Sequence, residues 1–185
     1  NRDLDCKVTL GNDCRLFALS ESVNGAGQGF KFVYGAIIGT GAAGGFCIDG
    51  KLYNGSNGIA GEYGHLPVSA LLIDKYNLPI LDCGCGLKGC YEPYVSGPGL
   101  GWLYSHFGAK TTDTRDFVNK LNESDAIAKT TFSCYMDLLA ASFASVVLSY
   151  DPDIIVLGGG VSNIAAVVEA LPSSVNKHLY SGVEC

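Results

Sequence analysis

Residues 83–90 read CGCGLKGC and carry three thiols and three glycines. Glycine gives up the most backbone freedom on ordering, so such a segment holds one shape only if something pins it. The spacing Cys83-x-Cys85-x₄-Cys90 supplies three metal ligands, and a closed tetrahedral zinc site takes four. His65, eighteen residues upstream of Cys83 in GEYGH, is the nearest histidine, and His106 is the next. Two plainer readings compete, a disulfide and free thiols. Cys83 and Cys85 stand too close for an easy unstrained bond with each other, though either could reach Cys90. The spacing favours zinc held by His65, Cys83, Cys85 and Cys90. A closed site of this kind is structural, and holds a loop rather than activating water.

The other five cysteines, Cys6, Cys14, Cys47, Cys134 and Cys185, are scattered singly, several of them in apolar contexts. Scattered thiols in a core-rich chain suggest a reducing, cytoplasmic setting. The 185 residues suit one domain or a little more, and 48% apolar against 16% charged residues leaves material for a substantial core. No run of eighteen apolar residues occurs, so no membrane span is expected. The net charge of −6, with no Lys/Arg cluster, argues against a nucleic-acid surface. A phosphate-bearing ligand could still be held by backbone N–H groups and helix N-termini. The chain begins at Asn1 and stops at Cys185 straight after SGVE. It is read as a piece of a longer protein, so the lack of a leader says little about export.

Along the chain, a short strand is expected over residues 6–10. A helix follows, capped by Asn12 or Asp13, with Leu16, Phe17 and Leu19 starting its apolar face. KFVYGAIIGTG and GGFCIDGKLYNG read as strands flanking TGAAGG, with Asp49-Gly50 as a hairpin turn. NGSNGIAGEYGH is a long loop. YEPYVSGPGLGWLYSHF reads as a short helix broken near Pro98, and apolar spacing marks a helix from Asp116 to Tyr150. PDIIVLGGGVSNIAAVVEAL then gives an apolar strand, a glycine turn and a helix capped by Ser162 or Asn163 and ended by Pro172. A continuous apolar strand of this kind is usually central in a covered sheet. The whole reads as α/β.

Taken together, GIAGEYGH, CGCGLKGCYE and IIGTGAAGG resemble the ROK family of sugar kinases and related repressors, from about Leu10 to Asn163. Within the family, NDCRLFALSE, the insert LPVSALLIDKYNLPILD and DPDIIVLGGGVSN are similar to members that phosphorylate N-acetyl-D-glucosamine. The resemblance implies an actin-like ATPase (ribonuclease H-like) fold of two lobes around a cleft. Residues 1–30 would be the end of the N-terminal lobe and a cleft helix. Residues 31–185 would be the larger C-terminal lobe, with the zinc and sugar loop and the nucleotide segments. The implied activity is ATP-dependent phosphorylation at the 6-hydroxyl of N-acetyl-D-glucosamine. Glucose, N-acetylmannosamine and fructose are alternative substrates, and a non-catalytic sugar-sensing regulator is the alternative class. The intact Asn12-Asp13 pair and Gly39-Thr40-Gly41 favour the kinase. The implied partners are a sugar, ATP with Mg, and a second copy in a homodimer.

The resemblance also implies roles. Asp13 would be the catalytic base, with Asn12 beside it on the sugar. Glu62, His65 and Glu92 would hold other hydroxyls, and His65 would also ligate zinc. Gly39, Thr40, Gly41, Ala42, Ala43, Gly44, Gly45, Phe46, Cys47 and Ile48 would wrap the ATP phosphates. Gly158, Gly159 and Gly160 would pass near the adenosine. Alone, these residues have plainer readings. Asn12-Asp13 is a helix cap, Glu62 a solvated acid, Glu92 a first-turn acid favoured by the helix dipole, and GTGAAGG a tight hairpin. His106 and His178 are read as structural or surface residues. The chain departs from the family pattern at Ala43, where glycine is usual, and at Arg15, where asparagine is common. An Asp-x-Gly-Gly-Thr phosphate segment and the usual C-terminal helix do not occur in it, so this stretch alone would not close a full ATP site.

Overall fold

The computed structural model describes residues 10–183. The strand expected over residues 6–10 lies outside them apart from Leu10. Among the described residues four strands form one sheet in the order β3-β2-β1-β4. They are β1 (Phe32–Ile38), β2 (Ala42–Ile48), β3 (Lys51–Tyr53) and β4 (Ile154–Gly158). β1–β2 and β2–β3 are antiparallel and β4 runs parallel to β1. The Asp49-Gly50 turn forms as expected, with left-handed φ of 50° and 71°, the twist that two-residue hairpins require. β4 is an edge of the described sheet rather than its centre, and it is only half-buried at most positions.

Alternation along the strands divides the core. Tyr34, Ala36, Ile38 and Phe46 face the main cluster, while Val33 and Cys47 face a smaller one with Ala18 and Val156. α1 (Asp13–Asn24) covers the smaller side. It approaches very closely, because Gly35 and Gly45 are register partners beneath it. A Cβ on Gly35 would come 2.7 Å from Ala18 Cα, and one on Gly45 would come 2.8 Å from Arg15 Cα. At that separation the buried face must be narrow. It is made of Cys14, Arg15, Ala18 and Ser22. The expected face of Leu16, Phe17 and Leu19 is therefore corrected: Leu16 is exposed and the other two are half-buried.

The opposite face is covered by α6 (Ala126–Tyr150). Asp125 caps it by accepting from the Ala128 N–H, and Asp151 ends it in the left-handed region. Phe143, Tyr63, Tyr34 and Phe46 follow one another from helix to sheet in tilted and edge-to-face ring contacts. By length and mean hydropathy (1.5) α6 would pass for a membrane span, yet 72% of its apolar stretch is buried inside the fold, as befits a core helix. The helix expected from Asp116 to Tyr150 is two, α5 (Thr114–Asn122) and α6, because Ser124 takes a left-handed φ of 62° between them.

The break expected near Pro98 falls at Ser96, and two further boundaries, both of α7, differ from expectation. α3 (Glu92–Val95) and α4 (Gly97–His106) part at Ser96, and Pro98 sits in the first turn of α4, where no N–H is needed. α7 (Ala165–Asn176) starts at Ile164 without a side-chain cap and runs through Pro172. The burial of Leu171 and Val175 on either side of the proline offsets the bond it removes. Ser162 and Asn163 instead donate to the carbonyls of Gly159 and Gly160 within a 3-10 turn. The insert after His65 also holds a helix, α2 (Ala70–Tyr76), capped by Ser69 and ended by Asn77 in the left-handed region.

Candidate active site and metal centre

The thiol segment folds into a small hairpin. The Cys83 N–H donates to the Leu87 carbonyl at 2.8 Å and the Gly86 N–H to Cys83 at 2.9 Å. Gly86 and Gly89 both take positive φ there, which only glycine adopts without strain. The hairpin pairs with the segment after His65, for the Val68 N–H donates to Gly89 and the Tyr91 N–H to Leu66. That pairing carries Cys90 back beside Pro67 and so gathers residues far apart in sequence.

His65, Cys83, Cys85 and Cys90 converge, with their ligand atoms all within 4.8 Å of one another. Cys83 Sγ stands 3.6 Å from His65 Nδ1, and Cys85 Sγ 3.7 Å from Cys90 Sγ. With zinc–sulfur bonds of about 2.3 Å and zinc–nitrogen bonds of about 2.0 Å, a tetrahedron has edges of about 3.5–3.8 Å, so the residues fit such an ion. All three thiols are free. Burial pushes Cys83 up and Cys90 up to about 12, whereas the Leu87 N–H draws the Cys85 thiol down. A divalent cation would reverse the cost of the buried thiolates, since a coordinating thiol is deprotonated.

From this cluster the contacts run outward in two directions. Towards the sheet, Cys83 lies 4.0 Å from Glu92 Oε1, and Glu92 Oε2 accepts from the Ala42 N–H at 3.0 Å. Glu92 is the first residue of α3, and its carboxylate reaches across to the turn between β1 and β2. Gly41 is small for that reason: a Cβ there would sit 2.8 Å from Glu92 Oε2. The Gly39 carbonyl accepts from Gly97 at 2.7 Å and so ties the same turn to α4. Towards α1, the 3-10 turn Tyr63–His65 leads back to Glu62, whose Oε1 accepts from Arg15 Nη2 at 3.2 Å. Asn12 caps α1 by accepting from the Arg15 N–H, and Asp13 Oδ1 accepts from Cys14 N–H at 2.9 Å. Both side chains are exposed on the first turn of α1. Burial, followed by the charge of Asp13, pushes the Cys14 thiol up to about 12, so it is no nucleophile.

The stretch Gly39–Ile48 divides in two. Gly39 and Thr40 line a cleft of about 1140 Å³, together with Gly97 and Pro98 of α4, the start of α5 and Gly160. Ala42–Ile48 is strand β2, and Ala42, Gly44, Gly45, Phe46 and Cys47 are buried in it, with Ala43 and Ile48 half-buried. Gly44 makes room for the Tyr34 hydroxyl and Gly45 for Arg15. Of the second glycine run, Gly158 packs against Phe17, Gly159 turns over the Ile38 carbonyl at φ 89°, and Gly160 reaches the cleft. Sequence reading missed Thr112, Asp113, Arg115 and Asn119, which line the same cleft, because Asp113 reads as an ordinary helix cap and the others as exposed polar residues. It also missed the partner of Arg15. Asn12 and Asp13 do not line this cleft.

A model of the ROK family matches residues 1–185. The chain is 53% identical over 180 residues to the N-acetylgalactosamine kinase AgaK of Shewanella sp. (strain ANA-3), covering 97% of this chain and 58% of that protein. It is 40% identical over 189 residues to the N-acetyl-D-glucosamine kinase of Vibrio parahaemolyticus, covering 99% of this chain and 63% of the relative. The chain thus spans about three fifths of the length of these relatives. Among solved structures it is similar to the ROK hexokinase of Thermus thermophilus, with a TM-score of 0.79 and 30% identity over 91% of this chain and 56% of that one. The fold is the actin-like ATPase fold of the ROK sugar kinases, as the resemblance implied.

Proposed function

The chain belongs to the ROK family, and from that premise we propose that a protein built on it transfers the terminal phosphoryl group of ATP to the 6-hydroxyl of an N-acetylhexosamine. N-acetyl-D-glucosamine and N-acetylgalactosamine are the two leading substrates, for both names occur among the relatives. One observation carries the reading. A continuous series of contacts runs from α1, which bears Asp13, through Arg15–Glu62, the His65–Cys83 pair and Glu92, to the Ala42 N–H beside the glycine turn. A kinase of this kind needs a sugar wall and a phosphate turn in fixed relation, since phosphoryl transfer depends on positioning and charge stabilisation.

In this reading Asp13 orients the 6-hydroxyl and takes its proton late, so orientation matters more than basicity. Asn12, Glu62, His65 and Glu92 meet the other hydroxyls. Thr40 and Gly41, at the tip of the turn, approach the phosphates, and the cleft between α4, α5 and Gly160 takes the nucleoside. Helix α1 is the cleft helix, and residues 31–183 belong to the larger lobe. Zinc on His65, Cys83, Cys85 and Cys90 supplies rigidity and no chemistry. Magnesium neutralises phosphate charge when ATP is bound. The scattered single cysteines of the sequence suit a reducing, cytoplasmic setting.

The test follows ADP release by the intact protein over a panel of hexoses and N-acetylhexosamines. Stimulation by an N-acetylhexosamine above the plain hexoses is the expected result. Sugar binding without ADP release would make the protein a sugar sensor.

A further inference from the structure

α1 buries a cation to which the proposed chemistry gives no contact with sugar or nucleotide. Arg15 is 9% exposed and lies on the face of α1 that rests on Gly45 of β2. A buried guanidinium needs both an anion and partners for its N–H groups. The anion is Glu62, 47 positions away, and the pairing is one-handed. Nη2 reaches Oε1 at 3.2 Å, while Nε is buried with no hydrogen-bond partner. Among the described residues no protein donor reaches Glu62 Oε2. Arg–carboxylate pairs commonly close two parallel bonds, and a pair kept only for stability would gain by doing so. This one leaves a carboxylate oxygen open, at half-burial, three residues before His65.

We infer that Arg15 is a positioning residue for sugar recognition. It holds Glu62 by one oxygen so that the other is presented to a sugar hydroxyl, and it draws the loop before Glu62 onto the helix that carries Asp13. This rests on the sugar-kinase reading above. Arg15 does not line the cleft that meets the glycine turn. Asp13 keeps its place when the Arg15 side chain is lost, because the Asn12 cap accepts from the Arg15 backbone N–H and α1 still rests on Gly35. The loss therefore weakens hold on the sugar and leaves phosphoryl transfer at saturation nearly intact.

Steady-state kinetics of the intact protein at saturating ATP test this in Arg15→Gln, Arg15→Lys, Glu62→Gln and the Arg15→Gln/Glu62→Gln double variant. Arg15→Gln should raise the sugar KM about tenfold or more while kcat stays within about threefold. Arg15→Lys should recover part of that loss, because an ammonium still reaches one oxygen. The double variant should be no worse than Glu62→Gln alone, as coupled partners are. An unchanged KM, or a fall in kcat at constant KM, overturns the inference, and so does a lysine variant as impaired as the glutamine one. If the unaltered protein phosphorylates no sugar, the kinase reading fails. The assignment of Arg15 is then read from calorimetry with N-acetylglucosamine and N-acetylgalactosamine in the absence of nucleotide. A loss of about tenfold in affinity in Arg15→Gln sustains it, and equal affinity, or no binding by the unaltered protein, overturns it.

Discussion

At the scale of single residues, Asp13 and Gly41 carry separable predictions. Asp13 sits on the exposed first turn of α1, and the Cys14 N–H holds one of its oxygens. Asp13→Asn keeps the shape and the helix start, so sugar affinity by calorimetry should hold while kcat falls about 10²–10⁴-fold. Weakened binding with normal turnover would mean a different role. Gly41→Ala puts a methyl against Glu92 Oε2, the oxygen that accepts from Ala42. Turnover should fall while metal content by elemental analysis stays unchanged, because the thiol hairpin is built from other bonds. The four proposed ligands were legible in the sequence, since three thiols at fixed spacing need a fourth donor and His65 was the nearest. The Arg15–Glu62 pair was not. Nothing local to either residue points to a partner on another element, and Glu62 alone reads as a solvated acid.

At the scale of elements, the docking of α1 is the clearest case of packing overriding periodicity. The helix and its Asn12 cap were legible, but its buried face was not. Leu16 and Phe17 are the larger apolar residues, yet the Gly35–Gly45 pair brings the backbones so close that Cys14, Ala18 and Ser22 fill the contact. Gly35→Val should cost about 1–3 kcal/mol in a urea titration, the usual range for overpacking. The break at Ser124 was hidden for a similar reason: apolar spacing continues across it, and only a left-handed backbone dihedral stops the helix. α2 is held by Asp137 of α6, which accepts from Lys75 and Tyr76 and faces His178. Burial alone would raise the Asp137 carboxyl, but the bonds from Lys75 and Tyr76 outweigh it and hold it below the ordinary value. A lowered folded value means that stability is present above the unfolded value of about 3.9 and is lost as pH falls through the folded one. Asp137→Asn should therefore flatten the stability curve below about pH 4, as read by thermal melts against pH.

At the scale of the whole molecule, the sheet and α6 form a core that does not depend on the thiol hairpin, whereas the acids of the proposed sugar wall do. His65 is held through Cys83 and its loop, and Glu92 lies between that thiol and the glycine turn. Removing a metal with a chelator should thus lower sugar affinity before it melts the α6 core, a separation visible by calorimetry with the sugar set against far-UV circular dichroism. The α/β class and the zinc-type cluster could be read from the sequence, because both follow from local patterns. The place of β4 at the edge of the described sheet could not, because an apolar strand reads alike whether one side or both are paired. The most direct test of the account is X-ray absorption at the zinc edge of the purified protein, with metal counted per chain. The account predicts about one zinc, surrounded by three sulfurs at about 2.3 Å and one nitrogen at about 2.0 Å. Metal-free protein with Cys85 and Cys90 joined in a disulfide, or a zinc shell made mainly of oxygen, would contradict it.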